Sequence, residues 1–357
     1  MVPERSISVM VIDDSAAVRA QVGAILERAG GIEVVASAQD PVAAARLLRR
    51  VTPDVITLDI EMPKMDGLTF LKKLMAAHPL PVVMVSSHTQ RGAEATVKAL
   101  QLGAFGVVAK PQEGGLRESA AFAEALVAEV RGAARCRVAR LKPPAAPARR
   151  LQPVARCGPQ PGGGACRVVV IGSSTGGTEA LRALLTRLPE ACPPIAIAQH
   201  MPPGYTASFA RNLDAACALT VKEAEEGDRL RPGLALIAPG GGHMEIVGPP
   251  GAPKVHCFEG PHERNYRPSV DRLFHSAARV LGARCVALLL SGMGDDGAAG
   301  MAALRAAGAA TLGQDEASSV VYGMARAAAL RGAVERELPL ERLPHALLQL
   351  AARPAMA

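Results

Sequence analysis

The sequence predicts two α/β domains, each a doubly wound parallel sheet, joined by a proline-, alanine- and arginine-rich linker. Three observations predict this. Short apolar runs of strand length alternate with amphipathic stretches of helical period over residues 7–130, and again from Arg167 onward. Between the two series, residues 140–166 (LKPPAAPARRLQPVARCGPQPGGGAC) lose all periodicity, as a tether does. A length of 357 residues suits two domains of ordinary size. The expected boundaries are 5–130 for the first domain, 131–166 for the linker and 167–350 for the second.

In the first series the strand candidates are 7–12, 32–36, 55–58, 82–85 and 105–109. The first helix is read from Val18, Val22, Ile25 and Leu26, whose spacing makes one apolar face, and it is ended by Gly30-Gly31. In the second series the candidates are 168–171, 195–199, 234–238, 286–290 and 309–312. A Gly-, Pro- and His-rich insertion, 240–268, separates the third from the fourth. Ligands of such sheets bind beyond the carboxyl ends of the strands, and the polar clusters fall there.

Composition narrows the function. Hydrophobic residues make up 49% of the chain, with no Trp and 3% aromatics, so both cores are expected to be aliphatic. Seven scattered cysteines without a C-x-x-C pair speak against a disulfide framework and a cysteine-rich zinc site. The N-terminus MVPERSISVMVIDDS has no leader pattern, and no 18-residue apolar run occurs, so a cytoplasmic protein without membrane insertion is expected. The net charge is +7, but nine basic residues and no acidic one lie between Arg131 and Arg167; set against +7, they leave the remainder at −2. The positive charge belongs to the tether, and with no compact helix-turn-helix in the second half, nucleic-acid binding is not expected. Neither a glycine-rich dinucleotide turn nor a lysine-bearing phosphate loop is read in the chain, so nucleotide binding is not expected either.

The first domain carries an acidic constellation. Asp13 and Asp14 follow the first strand, Asp59 ends the third, Ser86 ends the fourth and Lys110 follows the fifth. All converge at one sheet edge, where three carboxylates suit Mg²⁺ and a lysine offsets added phosphoryl charge. These residues resemble those of a response-regulator receiver domain of flavodoxin-like fold. The resemblance implies that Asp59 is the phosphoacceptor and that Ser86 and Lys110 grip the phosphoryl oxygens. It implies Mg²⁺ held by Asp14 and Asp59 through side chains, Glu61 through its carbonyl and Asp13 through water. The family's usual aromatic three residues before the lysine is replaced by Val107, with Phe105 nearby.

The second domain opens on IGSSTGGTEA, a G-x-S-x-G pattern that places Ser174 on a strand-to-helix turn. Gly172, Gly176 and Gly177 are expected to leave a substrate's approach clear, and the helix starting near Thr178 aims backbone N–H groups at the same spot. A serine needs a base, and an unperturbed histidine pKa of about 6.5 suits proton exchange near neutrality. His200, at the end of the strand IAIAQ, is the leading base and His243, in APGGGHM, its rival; His275 is expected to be a partly buried helix residue. For the carboxylate that holds the imidazole, Asp295 and Asp296 end the fourth strand, and Asp271 starts a helix, where an acidic residue is common.

IGSSTGGTEAL, QHMPPGYTASFARNLD, APGGGHM, PSVDRLF and SGMGDDGAAGM are similar to successive motifs of the CheB-type chemotaxis methylesterase domain, a Rossmann-like fold. The resemblance implies a triad of Ser174, His200 and Asp296. On the same resemblance Thr175 and the Met293 backbone N–H are candidate contributors to the oxyanion site, and His243 is a candidate pocket residue. It implies hydrolysis of glutamyl methyl esters on methyl-accepting chemotaxis receptors in sensory adaptation, deamidation of receptor glutamines, no cofactor for hydrolysis, and a CheA-type histidine kinase as phosphodonor. The family commonly has Asn where this chain has Asp295, which is expected to add negative charge beside the triad.

Overall fold

Five parallel strands of the first series form one sheet, and seven of the second series form another. The computed structural model of the chain describes residues 6–62, 66–86, 90–111, 119–136, 167–264 and 266–352. The chain divides into two compact units, Met1–Pro143 and Pro144–Ala357. Most of the expected linker, 137–166, lies outside the described residues.

In the first unit, β1 (Ile7–Ile12), β2 (Ile32–Ala38), β3 (Val55–Asp59), β4 (Val82–Ser86) and β5 (Gly106–Ala109) take the order β2-β1-β3-β4-β5. Each neighbouring pair is parallel. Strands buried on both faces read as continuous apolar runs, and β3 and β4 are buried along their whole length. Helices α1 (Ala16–Arg28), α2 (Pro41–Leu47), α3 (Gly67–Ala77), α4 (Gln90–Gln101) and α5 (Ala120–Ala134) connect them. Ser15, Asp40, Asp66 and Ser119 cap α1, α2, α3 and α5, each side chain accepting an N–H from three residues on. Helix α5 runs four residues past the boundary expected at 130, because its apolar stripe continues: Val130 and Ala133 are fully buried.

In the second unit, β6 (Val168–Ser173), β7 (Ile195–Gln199), β8 (Thr220–Glu223), β9 (Leu234–Ile237), β12 (Cys285–Leu289), β13 (Ala310–Gln314) and β14 (Arg336–Leu338) form a parallel sheet of order β14-β13-β12-β6-β7-β9-β8. Helices α6 (Gly177–Leu185), α7 (Tyr205–Ala216), α8 (Val270–Val280), α9 (Ala298–Ala306), α10 (Met324–Leu330) and α11 (Leu343–Ala351) surround it. The insertion expected to be irregular contains an antiparallel hairpin, β10 (His243–Val247) with β11 (Lys254–Phe258). Its inward residues Met244, Ile246 and Val255 join the core cluster that includes Phe274 and Ala277 of α8. Strands β8 and β14 escape the sequence reading because edge strands this short carry little apolar signal.

The order reverses beside β6: the chain goes from β6 to β7 on one side and reaches β12 on the other. A crevice forms at the carboxyl ends of strands where the order reverses. Ser174, His200 and Asp296 follow β6, β7 and β12, three adjacent strands of this sheet.

Candidate active site

The turn after β6 is anchored on all sides. The Ser174 N–H donates to the Ser291 carbonyl at 3.0 Å, and the Ser174 carbonyl accepts from Gly177 N at 2.8 Å and from Gln199 Nε2 at 2.9 Å. Gln199 Nε2 also donates to the His200 carbonyl at 3.1 Å, and its Oε1 accepts from Ser173 Oγ at 2.6 Å. One buried amide therefore ties together the backbones of Ser174 and His200. It also engages Ser173, which is fully buried, whereas Ser174 is half-buried.

The glycines of this turn serve packing, not the substrate approach expected of them. A Cβ on Gly172 would lie 2.3 Å from Val270 Cγ1, one on Gly176 2.5 Å from Val320 Cβ, and one on Gly177 2.5 Å from Gln199 Oε1. Each missing side chain faces the protein's own atoms. Gly176 also takes φ +75°, a left-handed conformation that starts α6 without a side-chain cap.

His200 Nε2 lies 2.8 Å from Asp296 Oδ2. An ionised carboxylate only accepts, so Nε2 carries the proton and Nδ1 keeps its lone pair. That Nδ1 is buried and, among the described residues, has no hydrogen-bond partner. The imidazole stacks on Tyr266, ring centroids 4.2 Å apart and planes 14° from parallel.

Asp296 is 2% exposed and fully satisfied. Oδ2 accepts from Val270 N at 2.7 Å; Oδ1 accepts from Asp271 N at 2.9 Å and Ser269 Oγ at 3.1 Å. These donors are the cap and first turn of α8, whose dipole favours an anion. Burial works to raise the Asp296 pKa, but the bond and charge of His200 and the two α8 N–H groups outweigh it, holding the carboxyl below its ordinary value.

Asp271, the rival carboxylate, is turned the other way. Its Oδ1 accepts from Gly300 N at 2.7 Å, in the first turn of α9. The two carboxylates thus cap reciprocally: Asp296, just before α9, sits on α8, and Asp271, in α8, sits on α9. Burial keeps the Asp271 pKa raised. The run Gly292–Gly297 does have the G-x-G-x-x-G spacing between a strand and a helix, contrary to the reading of no such turn. The helix start where that motif would hold a pyrophosphate is taken by the Asp271 carboxylate.

The rival base His243 is fully buried with both ring nitrogens engaged: Ser269 N donates to Nδ1 at 3.2 Å, and Nε2 donates to the Pro261 carbonyl at 2.9 Å. It has no lone pair left for a proton and instead fastens Ser269 against Asp296. His275 is exposed on α8, not partly buried, because its position falls on the solvent side of the helix. Thr175 is buried, and its carbonyl accepts from Ser291 Oγ at 2.8 Å. The Gly292 carbonyl accepts from Gly323 N and Met324 N, at 3.1 and 2.9 Å. In a trans peptide this aims the Met293 N–H the opposite way.

Asp295 does not add uncompensated charge beside His200 and Asp296. Its Oδ2 pairs with Arg264 Nη1 at 3.4 Å and Arg331 Nη2 at 3.2 Å.

In the first unit, Asp13, Asp14 and Asp59 bring one carboxylate oxygen each within 4.8 Å of one another. Lys110 Nζ lies 2.9 Å from Asp13 Oδ2 and 3.1 Å from Asp59 Oδ2. Burial pushes the Asp59 pKa up to about 6; Lys110 opposes this and Asp13 adds to it. Burial pulls the Lys110 pKa down, but Asp59 and Asp13 outweigh it and leave it raised. Ser86 is buried at the end of β4, and Glu61 is exposed beyond β3. Val107 is half-buried on β5, while Phe105 fills the core.

The site residues that sequence reasoning missed are Gln199, Tyr266, Ser269 and Ser291. Gln199 left a signal, one polar residue closing an apolar strand just before His200. Ser269 left one as the helix cap in PSVD. Tyr266 left none, since only the folded loop brings it onto the imidazole.

Comparison with known proteins places both units in families. Residues 169–347 match the CheB methylesterase family and residues 9–120 the response regulator receiver domain. A protein-glutamate methylesterase/protein-glutamine glutaminase of Salmonella choleraesuis is 47% identical over 342 residues, 96% of each chain. Another such protein, from Anaeromyxobacter dehalogenans, is 49% identical over 351 residues, 97% of each chain. The solved Thermotoga maritima CheB methylesterase catalytic domain is 37% identical with a TM-score of 0.51, covering 52% of this chain and 99% of that one. The chain therefore belongs to the family of CheB methylesterases that carry a response-regulator receiver domain.

Proposed function

We propose that the chain hydrolyses glutamyl methyl esters on chemotaxis receptors through Ser174, His200 and Asp296, and that phosphorylation of Asp59 regulates it. The observation that carries this reading is the state of His200. One ring nitrogen is locked to a fully satisfied buried carboxylate, and the other is buried, without a hydrogen-bond partner among the described residues, at the end of the strand beside that of Ser174.

In the proposed reaction Ser174 Oγ attacks the ester carbonyl while His200 Nδ1 takes its proton. Asp296 stabilises the imidazolium, as the orienting carboxylate of a triad does. The Met293 N–H and Thr175 face the developing oxyanion. The imidazolium returns the proton to the leaving methoxide, and methanol departs. Water, giving its proton to His200, then cleaves the glutamyl-serine ester, leaving a receptor glutamate and free Ser174. With a glutamine side chain the same steps release ammonia.

Mg²⁺ fits the first unit on the chemistry of its donors. Three clustered carboxylates, one pushed up to about 6 by burial, are short of positive charge, and hard oxygen ligands suit a small divalent cation. Asp13, Asp14 and Asp59 would hold it with the Glu61 carbonyl; when bound it neutralises charge on the incoming phosphoryl group. Lys110 is already placed at Asp59 to pair with that group, and Ser86 ends the neighbouring strand to donate to it. The phosphodonor is a CheA-type histidine kinase, and the role is sensory adaptation. No helix among the described residues is long and apolar enough to cross a membrane.

Methanol release from methyl-labelled receptor membranes tests both halves. Release that vanishes in Ser174→Ala and rises with a small-molecule phosphodonor and Mg²⁺ is the expected result. Release that persists in Ser174→Ala overturns the nucleophile; release indifferent to the phosphodonor removes the regulation alone.

A further inference from the structure

The half-exposed Asp295 pairs with two arginines. Asp295 is the neighbour of Asp296 in sequence. Arg264 is two residues before Tyr266, whose ring covers His200, and Arg331 closes α10. Both guanidiniums converge on one carboxylate oxygen, Asp295 Oδ2, at 3.4 and 3.2 Å. Their side chains remain 62% and 41% exposed. A guanidinium has five N–H donors, so most of these ten donors stay available. Two cations against one anion leave the cluster with a single net positive charge.

The backbone holds Arg264 in place. Arg264 has φ +48°, and it is the one non-glycine residue with positive φ among those described. It occupies a tight turn closed by Glu263 N to the Tyr266 carbonyl at 3.1 Å and Tyr266 N to the Glu263 carbonyl at 2.8 Å. Strained residues of this kind persist where the surroundings over-determine them, and they gather at functional sites. Leu330, next to Arg331, is 77% exposed, more than any other large apolar side chain among the described residues.

We propose that Arg264, Arg331 and Asp295 form a specificity-determining rim that binds a carboxylate on the protein substrate close to the ester being cleaved. The proposal rests on the methylesterase reading given above. The pair already grips a carboxylate, so its geometry suits that group. Asp295 holds the two cations together and keeps their affinity moderate, so that a bound acidic segment still leaves. The exposed Leu330 beside them fits a helix surface with an apolar residue next to an acidic one, which favours a polypeptide over a small acid. Rim charges act chiefly on encounter and on salt dependence.

The test uses the full chain and two synthetic helical peptides. Each carries one glutamyl methyl ester, flanked one helical turn away by Glu in the first peptide and by Gln in the second. Binding is read by fluorescence anisotropy with the Ser174→Ala chain, and turnover by methanol release with Ser174 intact. The Glu peptide is expected to bind roughly three- to tenfold more tightly at low salt, from two exposed charge pairs. That preference shrinks as salt screens it. Arg264→Gln and Arg331→Gln each reduce it, and the double variant abolishes it. Asp295→Asn, which frees both cations, increases it. Leu330→Ser weakens both peptides equally.

Equal binding of the two peptides, binding of neither, or a preference that survives the double arginine variant overturns the rim. Equal methanol release from both peptides likewise overturns the rim and leaves the methylesterase reading standing. A binding preference without release of methanol from either peptide does the reverse.

Discussion

Asp59 and Asp296 are both buried aspartates at the carboxyl end of a parallel strand, yet their acidities move in opposite directions. Asp59 is pushed up to about 6, while Asp296 is held below its ordinary value. Burial opposes ionisation at both. The difference lies in what faces the oxygens. Asp296 receives two N–H groups from the start of α8, a hydroxyl from Ser269 and an imidazole. Asp59 receives its own neighbour's N–H from Ile60 and shares Lys110 with a second carboxylate. A satisfied carboxylate is a fixed anion suited to orient a base; an under-compensated one favours the approach of a cation.

The sharpest way to break this contrast is Asp296→Asn. An amide cannot replace the acceptor that meets Val270, Asp271, Ser269 and His200 at once, and it leaves the imidazolium without its anion. We expect kcat to fall about 10⁴-fold and the second unit to lose about 1–3 kcal/mol in urea unfolding. The pH dependence follows from the sign of the shift. A lowered folded pKa gives stability that is complete above the unfolded value, 3.8, and is lost as pH falls through the folded one. The substituted chain should therefore show a shallower acid limb below about pH 4. Unchanged kcat would remove Asp296 from the proposed triad.

At Asp59 the opposite response is expected. Without Mg²⁺, Asp59→Asn removes a charge that folding disfavours at neutral pH and should stabilise the first unit by up to about 3 kcal/mol. Mg²⁺ at a hundred times its Kd should stabilise the unsubstituted unit by about 2.7 kcal/mol, and the Asn variant much less. Thermal unfolding with and without Mg²⁺ measures both. Equal Mg²⁺ responses would show that Asp59 is not part of the cation site.

Gly172→Ala tests whether the serine turn is anchored as firmly as Asp296. Its Cβ would meet Val270 Cγ1 and Leu289 Cδ2 at 2.3 and 2.8 Å, so about 1–3 kcal/mol of stability should be lost. A raised KM at unchanged stability would instead return this glycine to substrate access.

The smallest effect concerns Tyr266. Replacing it with Leu removes the stacked ring and should lower kcat several-fold with KM little changed, from about 1 kcal/mol of ring contact. Tyr266→Phe keeps the stack and should restore kcat. A Phe variant as slow as Leu would place the contribution in the hydroxyl.

Much of this organisation was legible in the sequence. Apolar runs of strand length are continuous where strands are buried on both faces, so the central strands of both sheets could be read. Acidic or nucleophilic residues just after such runs had to lie at a carboxyl edge, which located Asp13, Asp59, Ser174 and His200. The glycines of IGSSTGG were visible, but their purpose was misread, because the Val270, Val320 and Gln199 atoms they make room for lie elsewhere in the chain.

By itself the sequence determined the two parallel sheets, the acidic edge of the first and the serine turn of the second, because each is coded by local periodicity and spacing. Tertiary structure alone decided which carboxylate holds which partner. Asp271, Asp295 and Asp296 look alike as sequence. Packing α8 against α9 directs Asp296 to His200 and Asp271 to Gly300, while the turn at Arg264 and the end of α10 bring two arginines to Asp295. Packing also occupies both nitrogens of His243 while leaving one nitrogen of His200 without a hydrogen-bond partner among the described residues. Acidity and basicity at these positions depend on donors that are distant in the chain, and no local pattern encodes them.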